Sequence, residues 1–452
     1  MAGIAGIVGG TGRRRKLERM MAHMAHRGRG GKGIIERKWA ALGAVWPPPQ
    51  PNAIMRRQGL VQDHIEQGRL ARAQVVLDGV VLSRDPVGLG PLYYGRAEGG
   101  ELCFASEVKA LLQVTRQVRE LPPGSSYDGR RVRPHARLRA GSPLDAPPGH
   151  IAAELRTRLT SAVQRRIKGH SLGVWLSGGL DSSAMAAIAR PLVKTLHTFA
   201  GGLAGAPDLT QAKQVACFLG AQHHEVVVSF QGVLKALPQV IYALESFDAL
   251  LVRSSVINFL VAQAASDHVE EVLSGEGSDE LFAGYDYLKQ LPADKLHDEL
   301  LDITGRLGNT ALQRVDRCAA AHGLVAHVCF LAEEVRDYAL RIPAALKLRN
   351  GLEKWILRRA MAGALPQAIL DRPKAKFWQG AGIGDRLAQH ADAAISDPDF
   401  LRERRLPDGQ LLRTKEELFY YRIFRDHFGD LDDLAWLGRT KGAPEAPRPA
   451  PA

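Results

Sequence analysis

The stretch GVWLSGGLDSSAMAAIA, residues 173–189, constrains the fold more than any other. An apolar run ends in two glycines, an aspartate sits among hydroxyl side chains, and helix-forming alanines follow. Strand, loop and helix in that order put the loop at the carboxyl end of a sheet strand, where α/β folds bind ligands. Gly178 and Gly179 let an anion approach the backbone N–H groups closely. The hydroxyls of Ser177, Ser182 and Ser183 can donate to phosphate oxygens, and the helix amino terminus adds a favourable dipole. Asp181 fits an anion site only if a divalent cation bridges it to the phosphate, a task that suits Mg²⁺. A capped strand–helix turn would account for SGG alone, but not for the seven-residue string in this setting. No GK[ST] follows, so this is not a Walker A loop.

A second string, VLSGEGSDELFAGY at residues 272–285, also follows a strand-like run. It combines Gly275, Gly277 and Ser278 with Glu276, Asp279 and Glu280. Two such loops on neighbouring strands would set Asp181 and Asp279 on either side of a Mg²⁺–pyrophosphate, since carboxylates near phosphate imply metal. Alone, the second string reads equally well as an acidic helix start.

Around these loops the chain divides into regions. Residues 1–128 carry short β-like runs broken by turn signals such as DPVGLGP and PPGSS, and are expected to form a small β-rich domain. Residues 129–149, rich in Arg, Pro and Gly, read as a linker. From 150 to 438 the apolar runs LGVWLS, LHTFAGGL, HHEVVVSF and HVEEVLSG alternate with helical patterns, which predicts a parallel α/β sheet with a helical carboxyl-terminal part. Residues 439–452 read as a disordered Pro/Ala tail. The adjacent His223 and His224 read as strand-end residues rather than metal ligands, since no third ligand stands at zincin spacing.

The formal net charge of +12 raises the question of nucleic acid. Arg and Lys are spread along the chain, without aromatic interleaving, and no nucleic-acid motif accompanies them, so no nucleic-acid partner is expected. No apolar run approaches a bilayer span, and no basic region precedes the apolar start, so neither membrane nor secretion is expected. Four widely spaced cysteines form no CxxC pair, which favours a reduced, cytoplasmic protein.

Together the two loop strings resemble the synthetase domain of the asparagine synthetase family, the PP-loop ATP pyrophosphatases that activate a carboxylate as an acyl-adenylate. ALESFDALLVRSS, LQRVDRCAAAHGL and LEKWILRRAMAGALPQAILDRPKAKF are similar to further family segments, over roughly residues 150–430. GIAGIVGG, HRGRG, SRDPVGLGPLYYG, FASEVKALL and LPPG resemble the family's Ntn-type glutaminase domain, in the family's order. The resemblance implies ATP and Mg²⁺. It implies that Ser177, Gly178, Gly179, Asp181, Ser182, Ser183 and Gly275 hold the pyrophosphate, and that Asp181 and Asp279 hold the metal. It implies that Lys374, with Lys376 as a nearby competitor, steadies the transferring phosphoryl group. Glu276 stands where amide-forming members carry a glutamate and lactam-forming relatives a tyrosine, which makes it the general base. Asp248 and Arg253 fall in the family's substrate-side segment, Arg253 as a clamp for a substrate carboxylate; an ordinary helix-face arginine is an equal reading. A homodimer is a further implication.

Departures mark the amino-terminal region. The family's nucleophilic cysteine is Ala2, the acid of HRGPD is absent from His26–Gly30, and the NGEIYN string is missing. A methyl group cannot attack an amide, so no glutamine hydrolysis is expected. Ammonia or an amine then comes from solution or from a separate glutaminase. After the VDR helix, the family's Glu, Arg, Pro and Asp have become Val325, His327, Cys329 and Ala332. The expected function is an ATP-dependent amide ligase acting on L-aspartate or a related amino acid. A β-lactam- or lasso-type cyclase stays open, favoured by the shortened first domain. An idle scaffold stays open as well, opposed by two intact acidic phosphate loops.

Overall fold

The computed structural model describes residues 1–48, 54–55, 59–65, 68–76, 79–374 and 377–441. Period-two burial builds the amino-terminal half. Ala2, Ile4, Leu42, Ala44, Leu102 and Phe104 point into one core, while Ala5, Ile7, Ala41, Val45, Cys103 and Ala105 point into another. The sheet carrying them runs Arg119–Glu120, Tyr93–Arg96, Leu102–Ala105, Gly3–Val8, Ala40–Trp46, Gly31–Arg37, all antiparallel. A second antiparallel sheet runs Val132–Pro134, Ser125–Tyr127, Gly79–Arg84, Gly68–Val76, Leu60–Ile65, Ile54–Met55. Its Val61, Ala71, Ala73, Val80 and Leu82 complete the first core, so the two sheets form a sandwich. The first sheet is buried on both faces; helix Arg13–Ala22 covers its other side with Leu17, Met20 and Met21.

The stretch read as a linker contributes Val132–Pro134 to the second sheet, and no helix or strand falls between 135 and 147. Helix Pro148–Gln164 then opens the carboxyl-terminal half, with proline at its first turn, where a missing N–H costs nothing. The four apolar runs form parallel strands as expected, in the order Gln222–Val228, Thr195–Leu203, Ser171–Trp175, Glu271–Leu273. A fifth strand, Val325–His327, lies beyond Glu271–Leu273. Helices Leu180–Ala189, Pro207–Leu219, Phe230–Leu244, Ala249–Ala265 and Ala311–Ala321 connect and cover the sheet. Past residue 330 the described chain is helical apart from short bridges. The tail beyond 441 lies outside the described residues. No described helix is long and apolar enough to cross a membrane.

The halves share one apolar core, and charges are buried at their joint. Arg27, fully buried, bonds both Glu107 and Asp316. Arg317 Nη1 lies 2.8 Å from Glu107, and its Nη2 donates to Glu245 at 2.9 Å. Lys109 Nζ lies 2.7 Å from Glu107 and 3.3 Å from Glu245. Glu245 also accepts the backbone N–H groups of Val108 and Lys109, at 2.9 and 2.7 Å. It thereby satisfies orphan donors at the start of helix Val108–Leu111.

Candidate active site

Strand Ser171–Trp175 ends inside the sheet, and the chain must turn at once into helix Leu180–Ala189. Gly178 makes the turn at φ +70°, and a Cβ there would meet the backbone of Gln211 at 2.5 Å. Ser182 Oγ lies 3.2 Å from Ser177 Oγ and accepts Ser177 N–H at 3.2 Å, which closes the loop on itself. Gly179 caps the helix without a side chain, so the first-turn N–H groups face outward for an acceptor. Ser183 is buried, and its hydroxyl has no partner among the described residues.

The second loop lies against the first. A Cβ on Gly275 would sit 2.8 Å from Ser182 N and 3.0 Å from the Asp181 carbonyl carbon, so only glycine allows this approach. Ser274 N–H donates to the carbonyl of His327 at 2.9 Å and fixes this loop to the fifth strand. Ser278 Oγ donates to Asp181 Oδ1 at 2.8 Å.

Two lysines close over the two aspartates. Lys354 Nζ lies 2.5 Å from both Asp181 Oδ2 and Asp279 Oδ1. Lys374 Nζ donates to Asp279 Oδ2 at 2.6 Å and stands 3.7 Å from Asp181 Oδ2. Burial would raise the Asp279 carboxyl, but Lys354 and Lys374 outweigh it and hold the group far below the usual carboxylate range. Burial would lower Lys374, and Asp279 and Asp181 outweigh that in turn. Lys374 therefore stays cationic and Asp279 anionic. Asp181 and Asp279 thus fit a divalent cation: they are two carboxylates held a lysine's width apart at a phosphate-type loop.

Lys354 is the member that sequence reasoning gave no role, although the K of KWILR lies in a quoted family-like segment. It is buried at φ +55°, a conformation uncommon for a lysine and characteristic of strained functional positions. Its N–H donates to Phe282 O at 3.1 Å. The adjacent Glu353 accepts from Lys374 N–H at 3.2 Å and from Arg358 at 2.6 Å, and so positions both lysines. Lys376 lies outside the described residues.

Glu276, at the tip of the second loop, is met by the Arg314 guanidinium. Behind it Glu280 is buried, and burial, then Glu276 and Asp279, push its carboxyl up to about 8. Tyr285 OH donates to Glu280.

The other two predicted site residues are not brought to this quartet. Arg253 Nε donates to both oxygens of Glu416, at 2.7 and 2.9 Å, and its Nη1 to Asp385 at 3.1 Å. Asp248 caps helix Ala249–Ala265 through Leu251 N–H at 2.9 Å and accepts Thr440 N–H at 3.0 Å. Arg253 thus ties its helix to helix Lys415–Phe428, and Asp248 ties the same helix start to Thr440. A cavity of about 370 Å³ opens at the carboxyl ends of strands Thr195–Leu203 and Gln222–Val228, lined by Gly205, Pro207, Phe230 and Arg386 among others. The aspartate–lysine quartet does not line it.

In the amino-terminal half, Ala2 is fully buried in the sandwich core. Its N–H donates to Asp63 Oδ1 at 2.7 Å, and burial pushes the Asp63 carboxyl up to about 6. The position holds a methyl group and no nucleophile.

The sequence matches the asparagine synthase family over residues 154–302 and 291–446, and the glutamine amidotransferase domain family over residues 75–125. It is 35% identical to asparagine synthetase B [glutamine-hydrolyzing] of Escherichia coli over 78% of this chain and 68% of that one. It is 36% identical to asparagine synthetase [glutamine-hydrolyzing] 2 of Arabidopsis thaliana, over 77% of this chain and 64% of that one. It is 35% identical to a probable asparagine synthetase [glutamine-hydrolyzing] of Schizosaccharomyces pombe, over 82% and 74%. This chain therefore spans about two thirds of the length of those relatives. With the parallel sheet and its paired loops, these matches identify the chain as a member of the asparagine synthetase family of carbon–nitrogen ligases.

Proposed function

We propose that the chain activates a carboxylate with ATP and joins it to ammonia or an amine, without hydrolysing glutamine itself. The observation that carries this reading is the quartet of Asp181, Asp279, Lys354 and Lys374 over two interlocked glycine loops. A carboxylate oxygen attacks the α-phosphorus of ATP, the α–β phosphoanhydride bond breaks, and pyrophosphate leaves. The loop N–H groups and the Ser177 and Ser182 hydroxyls hold the departing phosphates, and Lys374 and Lys354 neutralise charge on the transferring group. Asp181 and Asp279 would hold Mg²⁺, which supplies further neutralisation of the pyrophosphate when bound. The amine nitrogen then attacks the acyl carbon, AMP departs, and Glu276 takes the amine proton, its carboxylate oriented by Arg314.

L-Aspartate or a related amino acid is the favoured acyl substrate, because the named relatives are asparagine synthetases. A ring-forming reaction is the second reading, supported by the buried methyl of Ala2 and by the altered 325–332 segment. A separate glutaminase as ammonia source, a homodimer and a cytoplasmic setting belong to the same proposal. The cytoplasmic setting fits four free cysteines.

The test is Mg²⁺-dependent exchange of labelled pyrophosphate into ATP across carboxylic acids, beginning with L-aspartate. Exchange with aspartate is expected. Asp181→Ala and Lys354→Ala should each lower it about 10²-fold or more while circular dichroism stays unchanged. Exchange with another acid alone would move the assignment to the second reading. Wild-type-like exchange in both variants would remove the quartet from the mechanism.

A further inference from the structure

His223 and His224 are neighbours in sequence but lie on opposite faces of strand Gln222–Val228. His223 Nδ1 lies 2.9 Å from Thr198 Oγ1 on one face. On the other face His224 Nε2 lies 3.1 Å from Nδ1 of His197, on the adjacent strand. A third imidazole closes the group. His268 follows helix Ala249–Ala265, and its ring centroid is 4.1 Å from that of His224. One ring nitrogen from each of His197, His224 and His268 lies within 4.8 Å of the others.

The fold explains why the three meet. The helix crosses its strand at Gly201, where Val261 would lie 2.3 Å from a Cβ. From that contact, four residues back along the strand and seven residues on along the chain, past the helix end at Ala265, run the same way. The two paths end at His197 and His268. The ligands thus come from two strands and a helix end, a placement that a spacing rule along one segment cannot detect.

We propose that His197, His224 and His268 form a transition-metal site, of the zinc, nickel or copper class. Three imidazole nitrogens without a carboxylate exclude Mg²⁺ and Ca²⁺, which take oxygen. A tetrahedral ion with ligands at about 2.0–2.1 Å brings its nitrogens to roughly 3.4 Å from one another; one pair is already near that spacing. His197 and His224 are half-buried and His268 is exposed, which leaves a solvent-side position for water as fourth ligand. The phosphate loops stand at the carboxyl ends of the strands. His268 precedes strand Glu271–Leu273, and His197 and His224 lie toward the amino ends of theirs. The metal is therefore separate from the nucleotide site and acts as a brace, holding edge strand Gln222–Val228 to its neighbour and to the helix end.

The experiment titrates the untagged full-length chain, stripped with EDTA, with Zn²⁺ alone. About one equivalent should bind per chain and raise the melting temperature, EDTA reversing both. His268→Ala sits in an exposed turn and should fold normally; it should lose at least about tenfold in zinc affinity. His224→Ala should do the same, and His223→Ala should bind as the parent does. Co²⁺ in place of Zn²⁺ should give a tetrahedral visible spectrum that His268→Ala abolishes. No binding, or binding unchanged by His268→Ala and His224→Ala, would overturn the proposal.

Discussion

At the scale of single residues, burial turns ordinary side chains into unusual ones. Lys347 is fully buried, and its amine has no partner among the described residues. Burial pushes it down to about 7, against an ordinary 10.5. Between those values the unfolded chain keeps a proton that the native chain gives up. Stability should therefore rise with pH across that window and fall as pH drops toward 7. Lys347→Met should flatten this slope and stabilise the protein near pH 7 by on the order of 2 kcal/mol in thermal unfolding. A loss of stability would show that the amine has a partner. Nothing in PAALKLRN distinguishes this lysine from a surface one; its helix, Ala344–Lys347, packs against helices Ala293–Gly305 and Trp355–Ala360. Lys354 was illegible for a similar reason, since its backbone conformation depends on contacts with the second loop. Asp181, Asp279 and Lys374 stand out in sequence because phosphate chemistry demands glycine, hydroxyl, acid and lysine at close spacing.

At the scale of elements, the inner strands Ser171–Trp175 and Thr195–Leu203 were legible because a parallel strand covered on both faces needs an unbroken apolar run. Strand Val325–His327 was not, because its residues were read against the family's segment after the VDR helix. Its changed residues therefore looked like a substrate difference, although they also build the sheet edge. Helix Ala249–Ala265 carries Arg253, which resembled a substrate clamp in sequence. The structure gives it Glu416, on helix Lys415–Phe428, whose carboxylate Tyr420 OH also bonds at 2.8 Å. Arg253→Ala leaves that carboxylate buried and unpaired, and should cost about 3–5 kcal/mol in chemical denaturation. A second change, Glu416→Gln, should recover part of the loss. A raised KM for the acid with unchanged stability would return Arg253 to the substrate.

At the scale of the whole molecule, the division into a β-rich first half and an α/β second half was legible from composition and turn signals. The joint was not, because its partners lie as far as 289 residues apart. Ala2→Cys restores a thiol but neither the absent acid of the HRGPD string nor the missing NGEIYN string. It should yield no glutaminase above background in a coupled glutamate assay; clear turnover would show that the pocket survives. The joint also ties the first domain to the stability of the second. Arg27, Lys109 and Arg317 balance Glu107, Asp316 and Glu245 inside a core that both halves build. A chain without its first 149 residues would strip Asp316 of Arg27, Arg317 of Glu107 and Glu245 of Lys109, beside a bare apolar floor. The first domain thus serves the second as masonry, whatever chemistry it performs, because its removal would open the core that both halves build.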